Sequence, residues 1–166
     1  MSPLLQDMLR VSLIGIGATA AMDLWLWCLK RVGLPGLNFA FIGRWVGHVF
    51  RGTWSHDAMT KAAPIQRELA LGWLTHYAVG VAFAGVLASL YGTAWLSSPS
   101  LVPALCVGLG SVVAPLVIMQ PAMGAGVASS KTATPLKNCL KSVANHAVFG
   151  LGLYLSAVTL ERISRW

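Results

Sequence analysis

Four times along the chain, apolar residues continue for about 20 positions with hardly a charge among them: about Leu9 to Leu29, Leu69 to Gly92, Leu101 to Met119 and Val143 to Leu160. A helix of about 20 mostly apolar residues is long enough to cross a bilayer, so the pattern predicts four membrane spans. Runs this long exclude the strands of an outer-membrane barrel, which alternate in segments of about ten. A fifth segment has another rhythm. Phe39, Ile42, Trp45, Val46, Val49 and Phe50 recur at helical spacing, while Arg44, His48 and Arg51 fall on a different face. That predicts an amphipathic helix over about 39–51 lying in the interface and closed by Gly52. The expected fold is all-α and integral to the membrane. It is one domain over residues 1–166, with four transmembrane helices and an interfacial helix in the first long loop.

Composition agrees: 56% of the 166 residues are hydrophobic, 10% are charged and the mean hydropathy is +0.68, outside the range of soluble domains. Ala18-Thr19-Ala20 has the look of a signal-peptidase site. Asp7 offsets Arg10 ahead of it, however, and the apolar run continues through Leu24 to Trp27, which predicts an uncleaved helix. The net charge of +7 suggests nucleic acid until the cations are placed. Lys30, Arg31, Arg44, Arg51, Lys61 and Arg67 lie in the first loop and Lys131, Lys137 and Lys141 in the third, nine against three on the other side. This is a positive-inside distribution, which expects long loops one and three in the cytoplasm and both termini in the periplasm. Membrane lipids are then the expected partners, with Arg44, Arg51, Lys137 and Lys141 at the headgroups and no role for nucleic acid. Cys28, Cys106 and Cys139 are odd in number and form no CxxC, so no disulfide framework is expected. The glycine-rich "MQPAMGAGVASSKTATP" lacks the glycine that a phosphate loop places before Lys-Thr. Its amides from Gly124 to Ser130 form either an anion-holding nest or an ordinary loop.

The polar residues inside the spans carry the candidate chemistry. In "GWLTHYAVGVAF" (72–83), steps of four give Gly72, His76, Gly80, Ala84 and Ala88, a stripe of small residues that aims His76 into the bundle. Ser12, Gly15, Thr19 and Asp23 share a face of the first span. Gly108, Ser111, Pro115 and Met119 share one in the third, and His146 and Gly150 one in the fourth, beside Asn145. Asp23, His76, Met119, Gln120 and His146 all fall within about 10 Å of one membrane face, where His48 and His56 also lie. A carboxylate in hydrocarbon needs a partner or a proton. Three readings follow. His76, His146 and Asp23, with Met119 and His48 as further ligands, bind a transition metal or haem; Asp23 and His76 relay a proton or cation in an oligomeric transporter; or the residues form a polar cluster that fixes helix register. Asn145, Gln120, Tyr77 and His56 belong to the same pocket, with Tyr77 about 100 degrees from His76 and expected mainly to pack. A role as an accessory subunit of a larger membrane complex uses the small-residue stripes and the 39–50 helix instead. No nucleophile is paired with a base and carboxylates are few, so no catalytic signature is present.

The combination of "MDLW" (22–25), "GRWVGH" (43–48), "GWLTHY" (72–77), "MQP" (119–121) followed by "GAG", and "NHAVFGLGLY" (145–154) resembles a family of small bacterial inner-membrane proteins designated a domain of unknown function. The resemblance runs from about residue 20 to 157. It implies a bacterial inner membrane and four spans, and it brings no substrate, cofactor or catalytic residue.

Overall fold

Helix α1 (Pro3–Arg31) opens with Ser2 accepting a hydrogen bond from the Leu5 amide and closes on Lys30 and Arg31. Proline in its first turn lacks an N–H that would have no helical partner there anyway. The computed structural model describes residues 2–34 and 36–164. After α1 come α2 (Phe39–Val49), α3 (Glu68–Tyr91) and a single turn, α4 (Ala94–Ser97). The next helix is composite: α5 (Leu101–Gly110), a π-helical segment (Ala114–Met119) and α6 (Gln120–Ala122). A 3₁₀ turn (Val127–Ser129) leads to α7 (Pro135–Ser164). Every regular element among the described residues is helical. Four helices, Pro3–Arg31, Glu68–Tyr91, Leu101–Ala122 and Pro135–Ile163, are long and apolar enough to cross a membrane, so the chain is a multi-pass membrane protein. The last begins eight residues before the apolar run, about 12 Å of helix, because Lys137 and Lys141 are good helix formers although they interrupt hydropathy.

Lipid tails are as apolar as leucine, so the bundle is held by close approach rather than by expulsion of water. Glycine supplies that approach at each crossing. Gly15 of α1 lies on the backbone of Gly80 and Val81 in α3, Gly152 of α7 on Ala18 of α1, and Gly108 of α5 on Gly150 of α7. The helices therefore form an arc in the order α3, α1, α7, α5, around a core that includes Ile14, Ala18, Met22, Phe149 and Leu153. Trp95 is buried with Leu96 at one end of the arc, and its Nε1 donates to the Ser100 carbonyl. The arc does not close evenly. α3 packs only lightly on α5, and the π segment packs chiefly on the turns that follow it.

Helix α2 seals the other end. Gly43 and Gly72 bring its backbone against that of α3, where a Cβ on either would strike a carbonyl of the facing helix. Phe39 stacks on Trp73 with centroids 4.0 Å apart. Arg44, expected at the headgroups, turns inward. It is 8% exposed, donates through Nε and Nη2 to both Glu68 carboxylate oxygens at 2.8 Å, and gives Nη1 to the carbonyls of Ala62 (3.0 Å) and Met59 (3.3 Å). Those bonds raise its pKa further above an already high value, chiefly through the Glu68 hydrogen bond. The two long loops meet here: the His56 amide donates to the Ala122 carbonyl and the Met59 amide to that of Met123. Four of the seven amides from Gly124 to Ser130, those of Gly124, Ala125, Ser129 and Ser130, donate to carbonyls of their own loop or of the preceding turn, so the run is in part a self-bonded loop.

Candidate functional site

Asp23 lies eight residues before the end of α1 and His76 eight residues after the start of α3, so antiparallel packing sets them level. The His76 Nε2 is 2.9 Å from Asp23 Oδ1, and the Tyr77 hydroxyl donates to Oδ2 at 2.8 Å. The carboxylate thus meets the need of a buried charge with one partner at each oxygen. Tyr77 was expected mainly to pack. Adjacent helix positions point about 100 degrees apart, and here they straddle the carboxylate, so both long side chains reach it. Phe39 of α2 lies against the His76 ring at 4.9 Å.

The second histidine is anchored from the other side of the arc. Ser111 Oγ donates to the Gly108 carbonyl and lies 2.7 Å from His146 Nδ1. Asn145, one residue before, is 3% exposed and accepts at Oδ1 from Trp25 Nε1. Trp25 therefore bonds inside the bundle.

Between these two histidines is a cavity of about 250 Å³, walled mainly by apolar side chains including Met22, Ile42, Trp45, Phe83, Met119 and Phe149. His76 and His146 both border it. Each ring has one nitrogen committed, Nε2 of His76 to Asp23 and Nδ1 of His146 to Ser111. Among the described residues no side-chain hydrogen bond engages the other nitrogen of either ring. The π segment forms one wall. Pro115 has no N–H for the helical ladder and its ring crowds the preceding turn, so the helix widens and the Gln120 amide bonds back to the Pro115 carbonyl, five residues earlier. That geometry brings Pro115, Ile118 and Met119 to the cavity, and the packing between α3 and the π segment is sparse on this side.

The expected site is therefore assembled in part. Asp23, His76, Tyr77, Asn145, His146 and Met119 gather around the cavity or its immediate supports. His48 does not join them: its Nδ1 lies 2.6 Å from His56 Nε2, in a separate pair under the first loop. Gln120 accepts from Ser129 in the third loop. Arg51 and Lys137 are exposed and Lys141 is half-buried. No group of three or more His, Cys, Asp or Glu side chains able to hold a metal is found among the described residues. Of the five residues expected as metal or haem ligands, His48 is elsewhere, while His76, His146 and Met119 border one cavity and Asp23 is bonded to His76 beside it. Ser111 and Trp25 are the functional supports that sequence reasoning did not assign. Ser111 was on the right face of its span, but nothing in the sequence paired it with His146.

A family model described as "Protein of unknown function (DUF2938)" matches residues 12–160. No curated protein and no solved structure matches the chain.

Proposed function

The chain belongs to this family of unknown function, whose membership brings no activity with it, and we propose from the geometry that it binds a lipid-soluble, oxygen-bearing ring of the quinone type in the cavity between α3 and the π segment. The observation that carries the reading is the pair of imidazoles, each held by one nitrogen and leaving the other available to an otherwise apolar cavity. Few fixed polar groups in an apolar cavity is the usual construction of a small-molecule site. The volume is below the range of about 300–1,000 Å³ typical of drug-sized ligands, so it suits a ring whose tail lies in lipid. Asp23 and Ser111 orient the two imidazoles, which donate to or accept from ring oxygens.

The test is titration of the purified chain in mild detergent with a short-chain quinone, read by quenching of Trp45 at the cavity wall. Saturable binding is expected, weakened about tenfold by His76→Ala and again by His146→Ala, the effect of about one hydrogen bond each. Absence of binding, or unchanged affinity in both variants, overturns the reading. Stoichiometric iron or copper that His76→Ala removes would replace the ring with a metal.

A second reading, proton-coupled transport by an oligomer, is favoured by the chain of exchangeable protons from Tyr77 through Asp23 to His76. It expects pH-dependent flux in proteoliposomes that Asp23→Asn abolishes. The location that goes with either reading is a bacterial inner membrane with the two long loops in the cytoplasm, supported by their excess of cations.

A further inference from the structure

Where the first and third loops meet, outside the bundle, lies a second cavity of about 550 Å³ with a different chemistry. Ser55, His56, Asp57 and Lys61 border it from the first loop, Gly124 and Lys131 from the third. Its walls are set by backbone. The His56 amide donates to the Ala122 carbonyl at 2.8 Å, the Met59 amide to that of Met123 at 3.2 Å, and the Lys131 amide to that of Ala125 at 2.9 Å. Gly124 has φ +89°, and a Cβ there would collide with the Asp57 carbonyl, so the loops touch main chain to main chain.

Lys61 and Lys131 reach this cavity from different loops, and neither makes an ion pair among the described residues. Asp57 shares the wall without closing on either lysine. His56, whose Nε2 lies 2.6 Å from His48 Nδ1, borders the cavity as well.

We infer that this cavity binds a phosphate group, with Lys61 and Lys131 supplying the charge. Lysine ammonium groups act as point charges, which suits a tetrahedral anion approached from several sides, whereas a planar carboxylate favours the arginine fork that this wall lacks. The cavity follows directly on the last turn of the third span at Pro121. A phospholipid headgroup and a free phosphate both have access to it. The inference does not depend on the ring-binding site.

The experiment uses the full chain in mild detergent, with two probes and two variants. Native mass spectrometry reads retention of phosphatidylglycerol, and calorimetry reads binding of inorganic phosphate. Lys61→Gln/Lys131→Gln is expected to lower affinity by about tenfold or more per lysine, the loss of a charged hydrogen bond each. Asp57→Asn is expected to raise it by removing a like charge, an effect that mere loosening of the loop would not produce. An unchanged thermal midpoint in both variants shows that they fold. Lipid retention alone, lost in the double variant, identifies a headgroup site, and saturable binding of inorganic phosphate identifies a free anion. Neither probe binding, or either binding equally to the double variant, overturns the inference. Quinone titration of the same variants stays at the wild-type value, which separates a failure here from a failure of the membrane cavity.

Discussion

Replacing Arg44 tests how the floor of the membrane cavity is held. Its guanidinium makes two 2.8 Å bonds to Glu68 and two longer ones to the carbonyls of Ala62 and Met59, and the two side chains keep 10% and 19% of their accessible surface. Removing one member of a buried ion pair costs about 3–5 kcal/mol, because the other charge stays desolvated. Residual water access at both groups puts this pair at the lower end, about 3 kcal/mol for Arg44→Met. Glu68→Leu should cost a similar amount, about 3 kcal/mol, since it leaves the guanidinium without its carboxylate. Because an apolar pair of similar volume avoids desolvation altogether, Arg44→Met/Glu68→Leu should recover most of the loss. The assay is a double-mutant cycle by reversible unfolding in mixed detergent micelles. A coupling energy of about 2 kcal/mol or more is expected. Additive single effects, within about 0.5 kcal/mol, would show that the pair does not clamp α2 to α3. Since Ile42 and Trp45 ride on α2 into the cavity wall, Arg44→Met should also weaken ring binding while leaving His76 and His146 intact.

Gly43→Ala places a Cβ on the Glu68 carbonyl, which cannot yield as a flexible side chain would. It should destabilise by about 3 kcal/mol and shift Trp45 and Trp73 emission to the red; a wild-type stability and spectrum would refute the close crossing. Tyr77→Phe removes one of two partners from Asp23 and should cost about 2 kcal/mol in the same unfolding assay, with no cost meaning that the hydroxyl bond does not form. In sealed bilayers a water-soluble maleimide should label Cys28, three residues from the end of α1, and spare Cys106 inside the third span although its side chain is exposed on the isolated protein. Equal labelling of the two would refute that span.

How much was legible follows from which interactions are local. Four spans were readable because hydropathy is a property of each segment alone, and the stripe Gly72, Gly80, Ala84 was readable because close packing in lipid needs small residues at helical spacing. Levelness of Asp23 and His76 came from counting residues to the span ends. Arg44 was misdirected because amphipathic periodicity says which face is polar and not what that face meets; the partner, Glu68, opens another helix. The histidines were also pooled by depth, although depth does not fix azimuth. His48 therefore sits with His56 beneath a loop while His146 sits with Ser111. The π segment was hidden for a related reason: Pro115 marks a disturbance, but its resolution depends on the neighbours.

That segment also sets the phase of everything after it. A π ring encloses one residue more than an α ring, so deleting a single residue between 114 and 118 would let the span close into ordinary α-helix with no loss of bonding. Winding the span as ordinary α-helix at its present length would instead carry the surplus residue into the turn, about 100 degrees per residue, and would swing Met119 and the Pro121 corner that far around the axis. The His56 amide would then face away from the Ala122 carbonyl it now meets. The π ring thus absorbs one surplus residue in the third span and keeps the membrane cavity and the loop cavity in register, and an unbroken α-helix of the same length would uncouple them.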